Sequence, residues 1–179
     1  MYRILPLFAL TFLTACSGDA RLREAAARLA VEPEAIALAG APAAIPGESN
    51  LLAGIATAPV AVVDDRWPLP AEVVEGGMRL TLEAADLLAD PGTLFNPVEP
   101  RYRLALNIEG YDTPEGAVAP ATLTAKYLLI GADGRLAWSE TVRTTGEPTG
   151  GPEPARAAAE DAIRDSFRQM LTSLARRER

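Results

Sequence analysis

Histidine is absent from the 179 residues, cysteine occurs once, at Cys16, and lysine once, at Lys126. Without histidine the chain lacks the side chain most used as a general base and metal ligand near neutral pH. Nucleophilic arrangements of the Ser/His/Asp or Cys/His kind are excluded with it. One cysteine cannot close an intramolecular disulfide, so the fold must hold by packing. No G-x-S-x-G, S-x-x-K or glycine-rich phosphate loop is present. Paired carboxylates can hydrolyse glycosides, but the acids here are scattered over turns and helix faces and no pair stands out. Lys126 falls mid-strand and reads as a solvated strand residue, not a Schiff-base lysine. Basic residues are outnumbered 17 to 24, a formal net charge of −7, which argues against nucleic acid and against electrostatic attraction to an anionic membrane surface. The expectation is a protein that is not an enzyme, holds no metal and binds no nucleic acid.

Also missing is an apolar run of the roughly 20 residues needed to cross a bilayer. The run from Ile4 to Leu13 is about half that length. It follows a lone Arg3 and leads through Leu13-Thr14-Ala15 into Cys16. This arrangement resembles a bacterial lipoprotein signal peptide with its lipobox. An ordinary signal peptide, with Cys16 left as a buried thiol, is the alternative. The resemblance implies that residues 1–15 are cleaved and that Cys16 carries a diacylglyceryl group on sulfur and an acyl chain on the new amino terminus. No other cofactor is expected. One acyl chain anchors only marginally, at about 0.8 kcal/mol per buried methylene, so two signals or more are needed. Ser17 in place of an aspartate after Cys16 implies delivery to the outer membrane, with the domain facing the periplasm. Cleavage removes one charged residue, Arg3, and takes the net charge to −8.

Residues 16–50 read as a lipid-anchored flexible tether. Arg21–Leu29 has helical composition but no wide apolar stripe, and the Ala, Pro and Gly around it cannot bury enough apolar surface to order themselves. Ala35–Ala39 is a candidate edge strand. Residues 51–179 read as a single periplasmic domain. Val60–Val63 is a candidate strand that Pro59 confines to an edge or to a strand start. The following Asp64-Asp65 reads as a solvated turn and not as an acid–base or metal pair, because neighbours in extended chain point opposite ways.

A helix is expected over Ala71–Ala89, with Val74, Met78, Leu82, Ala85 and Leu88 on one face and Pro91-Gly92 closing it. Gly76-Gly77 inside it costs roughly 1 kcal/mol per glycine, so either the helix starts later or something packs closely there. Tyr102, Leu104, Leu106 and Ile108 alternate with mostly polar partners, the pattern of a strand with one wet face. Thr122–Ile130, a turn at Gly131–Gly134, and a run through Leu136, Trp138 and Val142 form a hairpin. Pro154 suits the first turn of a last helix, with Ala159, Ile163, Phe167, Met170, Leu171 and Leu174 as its apolar stripe. Arg176, Arg177 and Arg179 sit where the helix dipole favours cations. The fold class expected is α+β: an antiparallel sheet of three to five strands with two helices packed on one face. Leu106 and Phe167 are placed in the core.

This order of elements, lipobox, helix ending near Leu87-Leu88-Ala89-Asp90, strand Tyr102–Ile108, hairpin Leu123–Val142 and alanine-rich helix Ala155–Leu174, resembles small α/β envelope lipoproteins of proteobacteria. It is similar in layout to the YajG-like and the LpoB- or TolB-N-terminal-like kind. The resemblance implies an assembly or regulatory partner in the envelope and carries over no catalytic residue. Two functions are therefore weighed. The first is a non-catalytic interaction or assembly module at the outer membrane, binding an envelope protein through its sheet face or edge. The second is a lipid- or small-ligand-binding auxiliary lipoprotein of an envelope transport system, with a pocket between helix and sheet. A bare strand edge or an exposed apolar patch favours the first, and a large apolar cavity favours the second.

Overall fold

The computed structural model describes residues 9–32, 54–90, 92–93, 96–97, 99–113, 120–148 and 153–177; for residues 9–18, 92–93, 96–97 and Arg177 it describes the backbone alone. In chain order the elements are α1 (Ala9–Leu29), β1 (Ile55–Thr57), β2 (Ala61–Val62), α2 (Ala71–Ala84), β3 (Gly92–Thr93), β4 (Asn96–Pro97), β5 (Tyr102–Asp112), β6 (Ala121–Gly131), β7 (Leu136–Gly146) and α3 (Pro154–Arg177). The fold is α+β. Strands β5, β6 and β7 form an antiparallel meander, and β1 and β2 both lie along the other side of β5. β3 and β4 pair with each other as a separate small ribbon. The candidate strand at Ala35–Ala39 lies outside the described residues.

The period-two pattern decides which face of the sheet is covered. Leu104, Leu106 and Ile108 of β5, Leu123, Ala125, Tyr127 and Leu129 of β6, and Val142 and Thr144 of β7 all point inward and are buried. α3 lies over them with Ala159, Ile163, Phe167, Met170, Leu171 and Leu174, the stripe expected from its sequence. At about 25 cal/mol per Å² of apolar area, this layer is the main favourable term. Close approach is secured at Gly146, where an added Cβ would overlap the Ala158 carbonyl oxygen and crowd the Ala162 nitrogen of α3. Two buried hydroxyls inside the layer are satisfied: Tyr127 and Ser166 share a 2.6 Å hydrogen bond, and Thr144 donates to the Ala162 carbonyl at 2.8 Å.

Three features differ from the sequence expectation. The sheet is mixed, because β1 and β2 run parallel to β5. They precede a helix that carries the chain back along the sheet before β5 begins, and such a crossover produces a parallel pair. Pro59 has no N–H to donate and separates β1 from β2. On either side of it, Ala58 N–H donates to Leu104 at 2.9 Å and Val63 N–H to Ile108 at 3.0 Å, keeping the segment on β5.

Second, α2 stops at Ala84 and not at Ala89. Asp86 adopts a left-handed conformation with φ 57°, which turns the chain out of the helix five residues before the proline. Leu87 and Ala89 then exchange backbone hydrogen bonds with Ile55, at 2.9 and 2.8 Å. Spacing alone puts Leu88 on the helix face; a bridge to the edge strand takes it instead.

Third, part of the stretch that reads as a flexible tether is a packed helix. Ala25, Ala26 and Leu29 of α1, and Val31 just beyond it, are buried, and Ala25, Leu29 and Val31 belong to the main core. Their seat is the glycine pair of α2: a Cβ on Gly76 would come within 2.8 Å of the Ala26 Cβ, and one on Gly77 within 2.6 Å of the Leu29 Cβ. The glycines that weaken α2 as an isolated helix are what admit α1. Val31 N–H donates to the Thr81 hydroxyl at 3.1 Å, and that hydroxyl donates to the Gly77 carbonyl at 2.8 Å, so a buried side chain ties the end of α1 to α2. Three helices, not two, thus build the helical layer among the described residues. The rest of the expected tether, residues 33–50, lies outside them.

Candidate functional site

Leu13, Thr14, Ala15 and Cys16 fall on the N-terminal part of α1, and their side chains lie outside the described residues. No described helix is long and apolar enough to cross a membrane. The helix that carries Leu13–Cys16 is docked on the domain by Ala25, nine residues beyond Cys16.

The side of the sheet away from the helices is open among the described residues. Arg103, Ala105, Asn107 and Glu109 of β5 share it with Thr122, Thr124, Lys126, Leu128 and Ile130 of β6, and with Ser139, Thr141, Arg143 and Thr145 of β7. Lys126 is half-exposed and lies 3.8 Å from Glu109, an exposed ion pair of little energetic weight. Toward the β6–β7 turn this face becomes apolar: Ile130 pairs with Leu136, which is 59% exposed, next to Leu128 and Ala105.

β7 is the free edge. It pairs with β6 over its whole length and has no strand on its other side among the described residues. Every second residue of its 11 therefore presents an N–H and C=O outward with no strand partner among the described residues. Glu140 and Arg143 lie along it, and a register shift opposite Leu129 and Ile130 bends its start, devices that keep an edge from indiscriminate pairing. Sequence reasoning finds the strand but not its position: a hairpin looks the same whether its second strand is central or terminal.

At the far end of the sheet the adjacent carboxylates separate in role. Asp64 accepts hydrogen bonds from the Arg66 guanidinium at 2.9 and 3.1 Å, from the Arg66 backbone N–H at 3.0 Å and from the Tyr111 N–H at 2.8 Å. These bonds, the Arg66 side chain first, hold the Asp64 carboxyl well below the usual carboxylate range. The same pairing raises the Arg66 guanidinium. Asp65 is exposed. The pair lies in a turn, as its sequence suggests, but only Asp65 is solvated; Asp64 clasps Arg66 and the Tyr111 backbone. Beside it Trp67 packs edge-on to Tyr111, with ring centroids 5.1 Å apart, and the Tyr111 hydroxyl donates to the Ala155 carbonyl at 2.9 Å. Burial raises the Tyr111 hydroxyl pKa above its ordinary value. Burial does the same to Tyr127, in part offset by its bond to Ser166.

A cavity of about 530 Å³ lies at the opposite end, lined by Arg101, Tyr102, Gly131, Ala132, Asp133, Arg135 and Ala137. It is an open depression beside the hairpin turn, with more apolar than polar surface in its lining. Among the described residues no three potential metal ligands gather in one place.

Neither a family model nor a curated protein sequence matches this chain. Solved structures do. The PelC dodecamer from Paraburkholderia phytofirmans is similar to it with a TM-score of 0.52 and 18% identity, over 69% of this chain and 89% of that one. A single-substitution variant of the same dodecamer gives 0.50 and 18%, over 68% and 86%. A DUF330 protein from Xanthomonas campestris overlays at 0.49 and 15%, over 73% and 86%. Identities this low speak to the fold alone, and the fold that the two dodecamer structures support is that of a small bacterial α+β domain.

Proposed function

We propose that this protein is a lipid-anchored envelope lipoprotein, attached to the outer membrane through acyl chains on Cys16, whose periplasmic domain works without catalysis as an interaction module. The anchor rests on the Leu13–Cys16 lipobox. The observation that carries the interaction role is the β7 edge, 11 residues long, bare among the described residues and continuous with an open sheet face that turns apolar at Ile130 and Leu136. An edge of this kind recruits a strand from another chain: main-chain hydrogen bonds supply affinity and alternate side chains supply choice. The finer likeness to YajG-like or LpoB-like proteins fits this role but rests on element order. The ligand-carrier alternative is not favoured, since the layer between α3 and the sheet, where its pocket was expected, is filled by Tyr127, Phe167 and Ile163, all fully buried. The dodecamers are assemblies of PelC; for this chain they make further copies of itself an occupant to look for at β7.

The test is in-cell photo-crosslinking. A crosslinker at exposed Thr141 on β7 is expected to capture one defined protein, and one at exposed Gln169 on α3 to capture none. Equal capture at both sites, or recovery of bound lipid with no protein from Thr141, would overturn the edge-binding role.

A further inference from the structure

The described helix leaves the lipid very little slack. Asp19 is already on α1, where it pairs with Arg23 at 2.9 Å, and it lies only three residues beyond Cys16. Even fully extended, three residues span at most about 11 Å. From Asp19 to the first buried residue, Ala25, is six residues of helix, or about 9 Å. A tether of about 35 residues would let the domain roam far from the leaflet; a leash this short cannot.

The direction of α1 fixes which end of the domain the leash holds. Ala26 lies against Gly76, Leu29 against Gly77 and Val31 against Thr81. The contacts rise together along both chains, so α1 and α2 run the same way and the N-terminus of α1 lies at the N-terminal end of α2. Trp67, just before α2, packs on Tyr111 at the end of β5, and Tyr111 bonds Ala155 in the first turn of α3. The hairpin turn at Gly131–Arg135 closes the opposite end of the sheet.

Large apolar side chains are exposed at the leashed end. Val63, 72% exposed, and Val62, 39% exposed, lead into the Asp64–Arg66 clasp, and Leu22, 46% exposed, lies three residues beyond Asp19. The charges beside Val62–Val63 are Asp64, Asp65, Arg66 and Asp112, net acidic, and Leu22 is flanked by exposed Asp19, Arg21, Arg23 and Glu24, which cancel, so an attractive surface for this end is apolar and uncharged overall. We infer that the domain stands directly on the lipid leaflet that holds Cys16, with Leu22 and the Val62–Val63 segment against the membrane interface and the Gly131–Arg135 hairpin turn pointing away. This rests on the lipid-anchor reading and adds a membrane-contact surface and a fixed orientation to it.

The acylated chain has no other thiol, so Val63→Cys and Leu136→Cys each supply one labelling site, at opposite ends and both on exposed side chains. The full lipidated protein, carrying a fluorophore at one site, is reconstituted into phosphatidylcholine vesicles containing doxyl-labelled lipid, and intact mass records the acyl chains on Cys16. Quenching at least about threefold stronger at position 63 than at 136 is expected, with Leu22→Cys as a second near site. Equal quenching, or stronger quenching at 136, in protein whose mass shows the lipid would overturn the orientation and leave the anchor standing. Absence of lipid on Cys16 in cells would overturn both.

Discussion

Replacing Gly77 by Ala isolates the contact that turns the expected tether into a docked helix. In an isolated helix interior the change gains about 1 kcal/mol. Here the new Cβ would lie 2.6 Å from the Leu29 Cβ, whereas carbon atoms rest at about 3.5–4.0 Å. Relief requires α1 and α2 to part by about 1 Å. Leu29 is fully buried, and the Val31-to-Thr81 hydrogen bond is already 3.1 Å long, near the limit of about 3.2 Å. Overpacking of this kind costs about 1–3 kcal/mol, and loss of the hydrogen bond adds about 1 kcal/mol. Less the helix gain, the variant is expected to lose about 1–3 kcal/mol. Urea unfolding of the mature chain measures the loss. Amide hydrogen exchange locates it, with protection falling in α1 and holding in β5 and β6. A Gly77→Ala protein more stable by about 1 kcal/mol, with α1 protection unchanged, would refute the docked helix.

Cys16→Ala is expected to release the protein from the membrane fraction with its thermal unfolding unchanged; continued membrane association would refute the lipid anchor. Leu106→Ala and Phe167→Ala empty fully buried sites and should each cost about 2–5 kcal/mol in urea unfolding; less than roughly 0.5 kcal/mol, the scale of a neutral surface change, would show the core misplaced. Tyr127→Phe leaves the buried Ser166 hydroxyl without its 2.6 Å partner and should cost about 1–3 kcal/mol in the same assay. Asp64 has a folded pKa below its ordinary 3.8, so its contribution is present above that value and is lost as pH falls through the folded value. Stability followed from about pH 6 to about pH 2 should therefore decline less steeply below about pH 4 in Asp64→Asn than in the wild type; identical slopes would remove the clasp from the acid response.

Local patterns are legible where one face dictates the side chains. The alternation from Tyr102 to Ile108 and the stripe from Ala159 to Leu174 each report burial on one side of one element, and burial is visible in sequence as period. The glycine pair marks a close contact but cannot say with what: α1 supplies the answer at Leu29, 48 residues upstream of Gly77. Arg21–Leu29 is weakly amphipathic in sequence because small residues carry much of its contact. Ala25 and Ala26 bury little area each, and they fit only because the partner surface has no side chains. The end of α2 is hidden for a related reason. Leu88 continues the helical spacing, yet the bridge between Ile55 and Leu88 competes for it, and that competitor lies 33 residues away in the chain.

The sequence by itself determined the chemistry that is excluded, the α+β class, the meander and the stripe of the last helix, because these follow from residue types and from periods within single elements. It also carries Leu13–Cys16, a local pattern that resembles a lipobox. The tertiary structure alone decided that β1 and β2 run parallel to β5, that β7 is the free edge among the described residues, that Asp64 clasps the end of β5, and that α1 is docked with its N-terminus at that same end. Each of these depends on which distant segment occupies a given edge or face, and edges and faces come into being only when the chain packs.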